Sequence, residues 1–281
     1  MIGSWNVRGL NDPKKQSEVN TLIARNKLAA IGLIETRVKQ ERSQKVQNNL
    51  KLYEWQFIDN YQFASSGRIW VAYDAQLTHL QIVSKSDQTI HCKMQVDRND
   101  FYWTIVYGSN LCAEKRRLWE SIQAFANDMS TPWIIQGDFN IILNMQEGMG
   151  GNETDNQASQ DFTECVSAAS LKKLGSKIWK KLDRCLVNLA WLEKYALSEY
   201  DALPPGLSDH SPLIVAIRKE LERRNVPFRF FKIIRNLIGS GAIISEEDSA
   251  ELCADVTDEE VKATLWNIGC DKASGVDGFN I

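Results

Sequence analysis

Over the first 217 residues the chain alternates short apolar runs with turn residues and a few amphipathic stretches. Ile2 to Val7 reads as a short buried strand. Asp12-Pro13 then offers a helix N-cap and a first-turn proline, after which Val19, Leu22 and Ile23 share one helical face. Leu28 to Ile34 is apolar but too short for another helix, which predicts a strand ending at Glu35. Gly67 to Tyr73 predicts a further strand. Ile90, Cys92, Met94 and Val96 alternate with polar residues, as a half-buried strand requires, and Phe101 to Tyr107 is its natural antiparallel partner. Glu114 to Asp128 is amphipathic, with Leu118, Ile122 and Phe125 on one side. Trp133 to Gln136 predicts a strand running into Gly137-Asp138-Phe139-Asn140. Asp161 to Ala169 predicts a helix, Lys177 to Val187 a strand, and Leu213 to Ile217 a last strand. Strand meanders broken by helices favour an α/β sandwich, two sheets with helices outside.

The pattern changes after Ile217. Arg218 to Arg235 carries seven basic and two acidic residues, whereas Glu246 to Glu260 carries eight acidic residues and no basic one. Blocks of this kind mark linkers or solvated helix faces, so a domain boundary is expected near residue 218. Composition excludes more than it assigns. Hydrophobic residues at 43% and charged residues at 25% are ordinary for a soluble globular protein. No apolar run is long enough to span a membrane, and residues 1–10 lack a signal peptide's apolar stretch. The six cysteines show neither close pairing nor zinc-ligand spacing, which predicts buried or free thiols. A net charge of −3 and a pI near 5.8 do not advertise nucleic-acid binding. If DNA is the partner, a local basic face must make the contacts.

Five places carry candidate chemistry: Asn6, Glu35, Tyr107, the Asp138/Asn140 pair and Ser208-Asp209-His210. All fall at strand ends or in the loops after them, where a sheet holds functional groups rigidly. Alone, each has a plainer reading. Glu35 could be a solvated carboxylate, Gly-Asp-Phe-Asn a turn, Ser-Asp-His-Ser-Pro a capped turn, and Tyr107 a packing residue. Together they match the needs of phosphodiester hydrolysis. A hard cation needs carboxylate oxygens, for which Glu35 and Asp209 stand ready. Water must be aligned and deprotonated, a role for Asp138. Charge on the phosphoryl oxygens must be met by a donor, a role for His210. Asn6 and Asn140 can orient these groups without adding charge.

In chain order the sequence reads Ser4-Trp5-Asn6-Val7-Arg8-Gly9-Leu10, Leu33-Ile34-Glu35-Thr36-Arg37, Val106-Tyr107-Gly108, Gly137-Asp138-Phe139-Asn140 and Leu207-Ser208-Asp209-His210-Ser211-Pro212. This series resembles the endonuclease/exonuclease/phosphatase superfamily over residues 2–217, and its wording most resembles the endonuclease domains of plant LINE (non-LTR) retrotransposons. The resemblance implies a DNase I-like four-layer fold and a DNA-nicking hydrolase that uses Mg²⁺, with Mn²⁺ as a substitute. It implies Glu35, Asn6 and Asp209 at the metal, and Asp138 on the attacking water. Asn140, Tyr107 and His210 would lie on the phosphate. Asp183, in Lys181-Leu182-Asp183-Arg184, would hold the histidine in its tautomer, the plainer reading being a surface ion pair with Arg184. Arg8 and Ser208 are expected to contact DNA. A monomer in the nucleus, with no membrane contact, is the accompanying expectation.

His79 and His91 match no motif and are expected at the surface or half buried. Trp5, Trp70, Trp103, Trp133 and Trp179 are expected to serve the core. Residues 218–255 are expected to be a linker. Residues 256–281 begin with a capping box, Thr257 to Glu260, and continue into Asp271–Phe279, which resembles the entry segment of a retroelement reverse transcriptase. The polymerase's metal-binding aspartates are not in this chain, so the tail is not expected to reverse-transcribe. After Ser170 the chain is shorter than in relatives, which predicts the loss of about one strand, with an exposed sheet edge or a gap that costs stability. The alternatives are therefore a catalytically inactive relic, or a phosphatase acting on a lipid or small phosphoester with the same fold.

Overall fold

Strands whose residues are buried without alternation need cover on both faces. β1 (Ile2–Asn6), β2 (Ala30–Ile34), β8 (Trp133–Asp138) and β10 (Asp183–Val187) are all of this kind, and the fold supplies that cover. A computed structural model describes residues 1–65, 67–96, 99–127, 129–141, 153–174 and 182–218. Trp179, the first part of the Lys177 strand, the linker at 219–255 and the segment 256–281 lie outside the described residues.

Among these residues two six-stranded mixed sheets face one another. One is ordered β11 (Glu199–Ala202), β12 (Leu213–Ala216), β1, β2, β4 (Ile69–Asp74), β3 (Trp55–Asp59). The other is ordered β5 (Thr78–Lys85), β6 (Thr89–Val96), β7 (Asn99–Tyr107), β8, β10, β9 (Lys172–Lys173). Inward residues of both sheets, among them Ile34, Val71, Ile90, Met94, Trp103 and Ile134, form the central core. Trp5, Ile31, Leu33 and Trp70 point the other way, and meet Val19 and Ile23 of α1 (Pro13–Asn26) and Val46 of α2 (Gln40–Asn49). On the far face Val106, Trp133 and Ile135 pack against Leu118 and Ile122 of α3 (Cys112–Ala126) and Phe162 of α4 (Glu153–Ala168). Helix, sheet, sheet, helix is the expected four-layer sandwich. A short α5 (Leu189–Lys194) buries Trp191 against the central core.

The cap predicted for α1 is present: the Asp12 carboxylate accepts from the Lys14 N–H, with Pro13 in the first turn. β6 and β7 pair antiparallel, and Ile90, Cys92, Met94 and Val96 all reach the core. Trp5, Trp70, Trp103 and Trp133 are buried as expected. Cys92, Cys165 and Cys185 are buried free thiols, and Cys112 is an exposed one. Among the described residues β9 pairs with Leu186 and Val187; residues 175–181 lie outside the described set.

His91 departs from its expected place. His79 is exposed, but His91 is 2% exposed, neither on the surface nor half buried. It faces away from the central core on β6, where Phe125 of α3 stacks on its ring with centroids 4.3 Å apart. Strand alternation placed His91 on the polar face; the helix that covers that face is not visible in the alternation.

Candidate active site

Two parallel strand pairs explain why the candidate residues meet. β1 runs parallel to β2 with Asn6 level with Ile34, so Glu35 leaves β2 beside the end of β1. In the second sheet β7 runs parallel to β8, with Tyr107 level with Asp138. β10 enters antiparallel to β8, placing Asp183 directly opposite Asp138. β12 is antiparallel to β1, so the loop preceding it brings His210 to the same end. Gly137 has φ +143°, and a Cβ there would lie 2.0 Å from the Val106 carbonyl oxygen. Only glycine lets β8 approach β7 this closely just before it presents Asp138.

Asp138 is 1% exposed and has a donor on each oxygen. Asn6 Nδ2 donates to Oδ2 at 2.9 Å, and the Asn140 N–H donates to Oδ1 at 2.9 Å. Burial, then the charge of Asp183, raise its pKa; the Asn140 N–H, His210 and Asn6 oppose that rise without cancelling it. His210 Nδ1 lies 2.8 Å from Asp183 Oδ2 and 3.9 Å from Asp138 Oδ2. Burial of the ring disfavours the imidazolium, but the hydrogen bond and charge of Asp183, with the charges of Asp138 and Asp209, outweigh it and raise the pKa. Asp183 is itself 6% exposed, which rules out the surface ion pair with Arg184. Arg184 is buried as well, and its Nη2 donates to the Ile141 carbonyl at 2.8 Å.

The loop holding His210 is pinned from below. Ser208 Oγ donates to the Asn6 carbonyl at 2.7 Å and accepts from the His210 N–H at 3.2 Å, while Trp5 Nε1 donates to the His210 carbonyl. Ser208 was expected to face DNA; its hydroxyl is instead turned inward and only 5% of the residue is exposed. Asn140 adopts φ 49°, with Nδ2 donating to the Gly108 carbonyl at 2.7 Å. Lys115 Nζ donates to the Asn140 carbonyl at 2.6 Å, a support that sequence reading missed because Lys115 looks like any basic residue on α3. Tyr107 is half buried; burial, then the charges of Glu35 and Asp138, keep its hydroxyl protonated by raising its pKa.

Glu35 sits in the left-handed region at φ 54°, and its N–H donates to the Arg68 carbonyl. Its carboxylate is engaged by Arg37 on Oε1 and faces Arg8 Nε at 3.7 Å on Oε2. Arg8 also pairs with Asp209 through Nη1. Arg8, Glu35, Arg37 and Asn140 are four of the seven non-glycine residues with positive φ among those described. Such strain gathers where geometry serves a ligand rather than stability. Arg37 was not singled out from sequence, although it stands two residues after Glu35 in the motif. An open cleft of about 380 Å³ extends from Glu35 past Arg37, Arg68, Tyr107, Ser109 and Asn110.

Among the described residues, two loci could take a cation. Asp138, Asp183 and His210 bring three ligand atoms within 4.8 Å of one another. The 2.8 Å contact between Asp183 and His210 makes that group a proton-holding pair first. Glu35 and Asp209 are oxygen donors for a hard ion, set on a common guanidinium.

The family profile described as "Endonuclease/Exonuclease/phosphatase family" matches residues 3–210. Among solved structures, the chain is similar to the endonuclease domain of TRAS1, a telomere-specific non-LTR retrotransposon (12% identity, TM-score 0.59, 78% of this chain and 97% of that one). It is similar to the AP endonuclease LMAP from Leishmania major (13% identity, TM-score 0.58, 78% and 87%). The 3′ phosphatase NExo from Neisseria is also similar (16% identity, TM-score 0.55, 77% and 98%). A search of curated protein sequences finds no match. No helix among the described residues is long and apolar enough to cross a membrane.

Proposed function

This chain belongs to the endonuclease/exonuclease/phosphatase family, and on that premise we propose that it is a divalent-metal-dependent endonuclease that nicks duplex DNA, as a non-LTR retrotransposon requires to expose a 3′-hydroxyl primer. The observation that carries the reading is the network joining Asn6, Asp138 and Asn140 to His210 and Asp183. It provides a buried carboxylate with one donor per oxygen, beside an imidazole anchored through Nδ1.

Asp138, when ionised, orients a water and takes its proton as that water attacks phosphorus. With Nδ1 committed to Asp183, His210 offers Nε2–H to a phosphoryl oxygen, and the protonated Tyr107 hydroxyl offers a second donor. Asn140 holds the turn that keeps Asp138 in place. The residues present fit a hard cation: Glu35 and Asp209 offer carboxylate oxygens to one cationic group, the Arg8 guanidinium, and would hold the ion there. Mg²⁺, or Mn²⁺ in its place, would there neutralise charge on a non-bridging oxygen and on the leaving oxygen. Arg8 is also placed to meet a DNA phosphate.

An extended strand is favoured over a compact phosphomonoester by the cleft, which continues past Arg37 and Arg68 and would lead a polyanion away from the catalytic end. In this reading residues 1–217 form the nicking domain, residues 256–281 are the start of a reverse-transcriptase region, and the substrate is nuclear DNA. Conversion of supercoiled plasmid to the open circle by the full chain in Mg²⁺, lost with EDTA and in Glu35→Ala, is the expected result. A folded sample that leaves plasmid intact would reduce the family membership to ancestry.

A further inference from the structure

The backbone carrying Arg8 is tied down on both sides. Arg8 has φ 44°, its N–H donates to Asn6 Oδ1 at 3.1 Å, and Lys15 Nζ donates to the carbonyls of Val7 at 2.7 Å and Arg8 at 2.9 Å. From this fixed base the guanidinium spans two carboxylates that arrive from distant parts of the chain. Nε faces Glu35 Oε2 at 3.7 Å, and Nη1 binds Asp209 Oδ2. Arg37 takes the other Glu35 oxygen, Oε1. The Glu35 side chain is only 12% exposed, so it is costly to leave without a counter-charge, whereas Asp209 at 57% is well hydrated.

Resting on the metal-dependent reading above, we infer that Arg8 is the resident counter-ion of the metal position, and that a divalent cation must displace it to bind. The exchange is one cation for another: the metal takes Glu35 Oε2 and Asp209, and the guanidinium leaves both. Arg37 need not move, because it uses only Oε1 and a small hard cation is content with one oxygen per carboxylate. Arg8 therefore lowers the metal affinity of the free protein and keeps two like charges from splaying the site. The planar fork is what makes the bridge, since a lysine ammonium is a single point on a flexible stem. Once displaced, the guanidinium is a free cation at the entrance where a phosphate would arrive.

The test is Mn²⁺ binding alone, by calorimetry, to the full-length wild type, Arg8→Met, Arg8→Lys and Glu35→Ala. The Arg8 side chain is 48% exposed, so these replacements leave the core intact, and near-UV circular dichroism checks this. Arg8→Met should bind Mn²⁺ about three- to tenfold more tightly than wild type, the range set by two partly exposed ion pairs. Arg8→Lys should gain less but still gain, because it keeps the charge and loses the bridge. Wild-type binding with no gain in Arg8→Met overturns the inference and leaves the metal reading standing. A gain in Arg8→Met with none in Arg8→Lys also overturns it, since net charge alone would then explain the effect. Absence of binding in every protein, or binding undiminished by Glu35→Ala, overturns the metal reading and the inference with it.

Discussion

Asp183 stands in register with Asp138 across the β8–β10 ladder, and both carboxylates turn toward one imidazole. Two buried acids this close raise the cost of ionising both. His210 relieves part of that cost, binding Asp183 at 2.8 Å and leaving Asp138 at 3.9 Å. The arrangement separates the two acids in role: Asp183 holds the ring, and Asp138 remains for water.

Replacing Asp183 with Asn should therefore disarm the site without unfolding it. Loss of the anchoring charge lowers the pKa of His210 toward 6.5 and lowers that of Asp138 toward 3.8. Nicking should fall by about 10²–10⁴-fold, the usual worth of a positioned acid or base. Plasmid kinetics and NMR titration of the His210 ring measure the two effects; an unmoved His210 titration would refute the coupling.

The pH dependence of nicking should be bell-shaped. Asp138 must be ionised, so its raised pKa sets an acid limb above 3.8; His210 must be protonated, so its raised pKa sets an alkaline limb above 6.5. Asn6→Ala removes a donor that lowers the Asp138 pKa and should shift the acid limb upward. For folding, the sign at His210 runs the same way: its contribution is complete below pH 6.5 and is lost as pH rises through the folded-state pKa.

His91 works in the opposite direction. Burial lowers its pKa to about 4, so the native ring stays neutral while the unfolded chain takes up a proton near 6.5. Stability should be full above pH 6.5 and fall as pH drops toward about 4, by up to ~3 kcal/mol at ~1.4 kcal/mol per pH unit. Urea unfolding of wild type and His91→Phe at pH 7.5 and pH 5 compares them. The variant should lose less stability between the two pH values; equal losses would remove His91 as the cause.

At Gly32 the two sheets approach closely, and an added Cβ would lie 2.5 Å from Ile105 Cδ1. Gly32→Ala should destabilise by about 1–3 kcal/mol through overpacking. Combined with Ile105→Ala, it should cost less than the two single changes added together, because the new methyl enters space the isoleucine vacates. Simple additivity in denaturation experiments would show that the sheets do not touch there.

Some of this was legible in the sequence. Helix faces, the Asp12 cap and the core strands follow from patterns repeated within a few residues, and the ordered motifs named Asn6, Glu35, Tyr107, Asp138 and His210 as strand-end groups. Elements with few buried residues escaped, for a physical reason: α2 buries only Val46 and has no side-chain cap, and most of β5 is exposed. Tertiary structure alone decided the rest. Asn6 finds Asp138 across 132 residues, Ser208 turns inward to Asn6, and Arg8 bridges Glu35 to Asp209, because parallel strand pairs from two separate sheets end at one level. Strand periodicity sets which face a side chain takes, but register and sheet order set which oxygen it meets. The same holds for His91, whose polar face became interior only when α3 lay down over β6.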